Sequence, residues 1–160
     1  MTFENWEIKM TLNRKLYIEQ MDLPVTDRSA VYSEEHVPLY YIDKSAAGLT
    51  YTVTDMLGRK ILKIKKKIIT LLPAFRIVFS DRTNGIIMKC PGFERTEASG
   101  IYNNGDMVVI GDRSGFNFVI KAGSTVLGRI DNERLTWGDV YGIETLDNAD
   151  GPYLAAVTVI

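Results

Sequence analysis

From Lys15 to Ile130 the chain repeats one local pattern: a short run rich in Val, Ile, Tyr, Phe and Thr, then a cluster of turn-forming residues, then another such run. β-Branched and aromatic side chains suit a pleated, half-buried surface, and Asn, Asp and Gly suit the reversals between strands. No long 3.6-residue period competes, so the pattern predicts an all-β chain of strands joined by hairpins. The clearest hairpin signals are Asn84-Gly85, between Phe75–Phe79 and Ile86–Lys89, and Asn104-Gly105, between Ala98–Tyr102 and Met107–Ile110. Both residue types tolerate the positive φ that matches the twist of flanking strands.

Asp followed closely by Gly recurs at Asp55/Gly58, Asp81/Gly85 and Asp112/Gly115, each after a strand-like stretch. The interval of about 25–30 residues is the length of two strands and two turns, and nothing except turn chemistry recurs, so no structural repeat is inferred. Turns select Asp and Gly for backbone reasons alone, which outweighs phosphate or metal binding at these positions.

The 160 residues make about one domain, 1–160, with residues 1–14 expected as a flexible N-terminal extension. A hydrophobic fraction of 46%, a charged fraction of 24% and a net charge of −1 are those of a soluble globular protein, not of a disordered, collagen-like or membrane-spanning one. The single Cys excludes an internal disulfide and a zinc site of several thiolates. Met1–Met10 carries Glu4, Glu7 and Lys9 without an apolar run, so no secretory signal is read and a cytoplasmic location is the expectation.

The end of the chain differs in kind. Gly151-Pro152 opens Tyr153–Ile160, which is apolar on every side. Pro at the start of a helix is favourable, and a helix apolar all round is buried all round. Its β-branched residues also permit a strand. It is far too short to span a bilayer, and because the sequence stops while still apolar, a natural chain with or without residues beyond Ile160 is left open.

Leu16–Gln20, Tyr40–Lys44, Leu57–Lys67, the Leu71-Leu72-Pro73 break with the strand from Phe75, and the closing Ala155-Ala156-Val157 together resemble the LURP-one-related family. That family has the tubby-like fold and is distantly linked to phospholipid scramblases. The resemblance covers roughly Leu16 to Ile160 and is a pattern of strands and turns rather than a catalytic signature. It implies a closed antiparallel β-barrel around a hydrophobic C-terminal helix. The helix here is short, about 13 Å for nine residues, which raises the prospect of an incompletely filled lumen.

Catalytic machinery is hard to assemble from this inventory. The sole histidine, His36, lies in Glu34-Glu35-His36-Val37-Pro38 and reads as an exposed turn residue. Cys90 follows an apolar strand beside Lys89, and a Cys90–His36 hydrolase is only a remote alternative. No glycine-rich nucleotide loop occurs. Asp147–Gly151 has Ala149 where a calcium loop needs an oxygen ligand, and Glu34/Glu35 and Asp131/Glu133 lack any acid–base context. No catalytic residue, metal or cofactor is predicted.

The strong charge feature is Arg59-Lys60-Ile61-Leu62-Lys63-Ile64-Lys65-Lys66-Lys67, six basic residues in nine. On a strand, Lys63, Lys65 and Lys67 line one face while Leu62 and Ile64 point to the core. Arg59, Lys60, Lys63, Lys65, Lys66 and Lys67 are therefore the candidate site for anionic lipid headgroups or another phosphate ligand, met peripherally at a membrane. The family's links to phosphoinositide-binding tubby proteins and to scramblases point the same way. The competing structural reading is a solvated strand whose lysines discourage edge pairing. Nucleic acid is disfavoured by the near-neutral charge and the lack of an aromatic platform beside the lysines. The expected function is thus a non-enzymatic binding or adaptor module, with a small apolar ligand in the barrel lumen as the alternative.

Overall fold

The structure, a computed structural model, describes residues 14–159 apart from 26, 68–72, 81–83, 94–95, 103–104, 113–116 and 147–150. The expected N-terminal extension lies outside the described residues except for Arg14, which opens the first strand. The strands are β1 (Arg14–Glu19), β2 (Arg28–Tyr32), β3 (Pro38–Lys44), β4 (Thr50–Asp55), β5 (Lys60–Lys66), β6 (Ala74–Phe79), β7 (Asn84–Phe93), β8 (Thr96–Tyr102), β9 (Gly105–Asp112), β10 (Asn117–Ala122), β11 (Thr125–Leu135) and β12 (Gly138–Thr145). Each pairs with its neighbours in sequence, and β12 returns to β1 with Arg14 opposite Thr145 and Glu19 opposite Val140. The result is the closed antiparallel barrel expected from the sequence, which leaves no sheet edge open to aggregation.

Strand alternation sets inside from outside. Leu62 and Ile64 on β5 and Phe118 and Ile120 on β10 are buried, while Lys63, Lys65 and Asn117 face out. The inward set joins the helix α1 (Gly151–Val159) in one cluster that includes Leu16, Ile42, Ile77, Tyr153, Leu154 and Ala155. The helix packs on β1, β5 and β12. Its Tyr153 ring stacks on Tyr102, centroids 3.9 Å apart and 17° from parallel. Tyr153, Leu154 and Ala155 of the short helix are fully buried within this cluster.

The two hairpins expected at the Asn-Gly pairs are present as β6–β7 and β8–β9, but the glycines lie in the strands. Asn84 and Gly85 are paired with Val78 and Ile77 inside the β6–β7 ladder. A Cβ on Gly85 would lie 2.9 Å from the Ile101 carbonyl oxygen, so this glycine admits a neighbouring strand and does not supply turn φ. Gly105 likewise opens β9, opposite Tyr102. The Asp55/Gly58 turn is as read, with Gly58 at φ +80°. Asp81, Gly115 and Asp147–Asp150 lie outside the described residues.

Candidate functional site

The basic run forms a hairpin arm and one outer strand. Asp55 Oδ1 accepts hydrogen bonds from the Leu57 and Arg59 amides, both at 2.9 Å, and the Asp55 carbonyl accepts from Gly58 N–H at 3.1 Å. Arg59 Nε donates to Asp55 Oδ2 at 2.7 Å, which neutralises Arg59 within the turn. The Arg59 amide above all, against a smaller opposing effect of burial, holds the Asp55 carboxyl below its ordinary range.

Beyond the turn, Lys60, Lys63, Lys65 and Lys66 are exposed on β5. Lys63 and Lys65 alternate with buried Leu62 and Ile64 as predicted. Lys67 departs from the expected stripe: it lies past the end of β5, is half-buried, and donates its amide to the Ala74 carbonyl at 2.9 Å. On the β4 side the register partners of Lys60, Lys63 and Lys65 are Thr54, Thr52 and Thr50. On the β6 side, exposed Arg76 stands directly opposite Lys65. Among the described residues, Lys60, Lys63, Lys65, Lys66 and Arg76 make no ion pair with a carboxylate. Arg76 is absent from the sequence-derived patch; its position between inward Phe75 and Ile77 carries the signal, but only the β5–β6 register brings it to Lys65.

A second cluster surrounds the β1–β2 seam, which closes through the register pair Tyr17–Tyr32 among the described residues. His36, at φ 61° in the β2–β3 turn, stacks on Trp137 from the β11–β12 tip with centroids 4.0 Å apart. Tyr32 lies 4.4 Å from His36 and 5.6 Å from Trp137, and Tyr17 meets Trp137 edge-on at 6.3 Å. His36 Nε2 is 3.1 Å from Glu19 Oε1. His36 is thus an exposed turn residue as expected, but one engaged in a latch across the seam. Tyr17, the Tyr32/His36 pair and Trp137 come from three separate parts of the sequence, so their meeting carries no local signal.

A polar depression on the outer wall is lined by Lys15, Asn117, Arg129, Asp131, Glu133 and Glu144. Lys15 Nζ pairs with Glu133 at 3.4 Å. A Cβ on Gly142 would lie 1.8 Å from Glu133 Oε2 and 3.0 Å from Asp131 Oδ1, so the missing side chain lets both carboxylates fold over the sheet. Acids and bases alternate here, and no cluster able to hold a metal occurs among the described residues. The Cys90 side chain lies outside what is described. Its strand, β7, is separated from β2 by four strands.

A family model described as LURP-one-related matches residues 14–160. The chain belongs to the LURP-one-related family. No curated protein matches it. This LURP-one-related barrel resembles an X-ray structure of an Arabidopsis thaliana protein with a TM-score of 0.66 and 12% identity, covering 92% of this chain and 88% of that one. At that identity the likeness concerns the fold. No helix among the described residues of this LURP-one-related chain is long and apolar enough to cross a membrane.

Proposed function

We propose that the chain is a non-enzymatic module that docks peripherally on anionic, phosphate-bearing surfaces, with lipid headgroups received by Lys63, Lys65 and Arg76 on the outer face of β5 and β6 and by exposed Lys60 and Lys66 at the two ends of β5. The observation that carries this reading is the direct opposition of Lys65 and Arg76 with no carboxylate between them. Like charges facing each other across an antiparallel pair destabilise it. A bound phosphate relieves that repulsion, whereas a strand selected only for solubility gains nothing from it. Threonines flanking the lysines offer hydroxyl groups to the same oxygens, and the register partners of Lys63 and Lys65, which are Thr52, Thr50, Val78 and Arg76, supply no ring for a base to stack on, which favours headgroups over nucleic acid. Arg59 and Lys67 play smaller parts, the one neutralised by Asp55 and the other half-buried.

The test is co-sedimentation with phosphatidylcholine vesicles with and without phosphatidylserine. Changing Lys63, Lys65 and Arg76 together to Gln weakens binding by about 1 kcal/mol per charge removed. Equal binding by the triple variant contradicts the reading.

A further inference from the structure

The hairpin that leads into the basic strand carries two large apolar side chains with no core to join. Met56 and Leu57 are adjacent at the β4–β5 tip and are 49% and 77% exposed. A Cβ on Gly58 would find nothing within 4 Å, so the space beside the turn is open. Scattered exposed apolar residues are ordinary, but an adjacent pair at a hairpin tip, three residues from Lys60, is a different arrangement.

The tip's backbone is also suited to an apolar medium. In such a medium an amide without a partner is costly, so an inserting loop must satisfy its own donors. Here the Leu57, Gly58 and Arg59 amides are all held by Asp55, through its carboxylate or its carbonyl. The Arg59 charge is cancelled by the same carboxylate at 2.7 Å. What the tip presents outward is therefore two apolar side chains on a closed turn, followed by uncompensated lysines along β5.

We propose that the β4–β5 tip is a membrane wedge: Met56 and Leu57 enter the boundary between headgroups and acyl chains while Lys60 and the outer face of β5 hold the anionic headgroups. This rests on the anionic-surface reading above and adds to it an apolar contact that salt does not screen. The two parts are complementary: charge brings the face to the bilayer, and apolar burial retains it.

The test uses the full chain with vesicles containing phosphatidylserine. Met56→Ser/Leu57→Ser, in an exposed turn, leaves thermal stability unchanged and weakens vesicle binding about tenfold, the scale of two apolar side chains partly buried. The loss persists at high salt, where the lysine variants no longer differ from wild type. In parallel, Leu57→Trp acquires a blue-shifted emission on vesicle addition that brominated acyl chains quench, over the background of Trp6 and Trp137. Wild type that binds while the serine variant binds equally and the emission of Leu57→Trp does not shift overturns the wedge and leaves the basic face standing. Wild type that fails to bind overturns both. A wild-type dimer that the serine variant dissociates without lipid makes the tip a contact between copies and also overturns the wedge.

Discussion

Leu154 of the central helix occupies the space that a side chain at Gly128 would need: a Cβ there would lie 2.6 Å from Leu154 Cδ1 and 2.3 Å from the Glu144 carbonyl oxygen. The barrel wall thus admits its helix through a missing side chain. Gly128→Ala is expected to destabilise the protein by about 1–3 kcal/mol through overpacking, and Leu154→Ala by about 2–5 kcal/mol through the cavity it leaves. Urea denaturation checks both, and a neutral Gly128→Ala would show that the helix is not seated against β11.

Lys65 and Arg76 repel each other in the free protein. Arg76→Thr is therefore expected to raise stability at low salt by about 0.2–1 kcal/mol. Adding tripolyphosphate, or raising ionic strength, narrows the gap between variant and wild type. Thermal unfolding at two salt concentrations makes the comparison. An Arg76→Thr variant less stable than wild type at low salt contradicts the repulsion.

The His36–Trp137 stack holds the seam where β1 meets β2. A double-mutant cycle with His36→Ala and Trp137→Ala is expected to give a coupling of about 1 kcal/mol, the range for offset-stacked rings. Amide exchange in β1 and β2 rises in either single variant while β6–β9 stay protected. Unchanged protection along β1 and β2 would mean that the seam closes without the latch.

Alkali is expected to loosen the same wall. Burial first, and Glu133 next, raise Tyr17 above its ordinary value of 10.0. Burial alone would lower Lys15, but Glu133, Tyr17 and Asp131 outweigh it and hold Lys15 above 10.5. The folded chain therefore keeps two protons that the unfolded chain releases first. Their stabilisation is complete below pH 10.0 and declines as pH rises through and beyond 10.5. Tyr17→Phe flattens that decline, measured as unfolding free energy across the alkaline range on either side of those values. An equally steep decline in the variant would exclude Tyr17 as a source.

Strands, outward lysines and the terminal helix are legible in the sequence because each is set by neighbours one to four residues away. Leu62 and Ile64 alternate with Lys63 and Lys65, and Tyr153–Val157 has no polar face. Features made by strand register are not legible there. Gly85 reads as a turn residue until the Ile101 carbonyl is seen beside it, and Arg76 reads as an isolated charge until β6 aligns it with Lys65. The Tyr17, Tyr32, His36 and Trp137 latch depends on barrel closure, a contact between the two ends of the described sheet. The apolar tip at Met56-Leu57 is present in the sequence, but it gains its meaning from exposure and from the Asp55 hydrogen bonds beneath it.

The most direct test of an anionic docking face is the binding of wild type to phosphatidylcholine vesicles as phosphatidylserine is increased, repeated across ionic strength. Binding is expected to grow with the anionic fraction and to weaken steadily with salt, leaving a smaller salt-resistant remainder from the apolar tip. Binding that is absent at every composition, or indifferent to the anionic fraction, would contradict an anionic docking face.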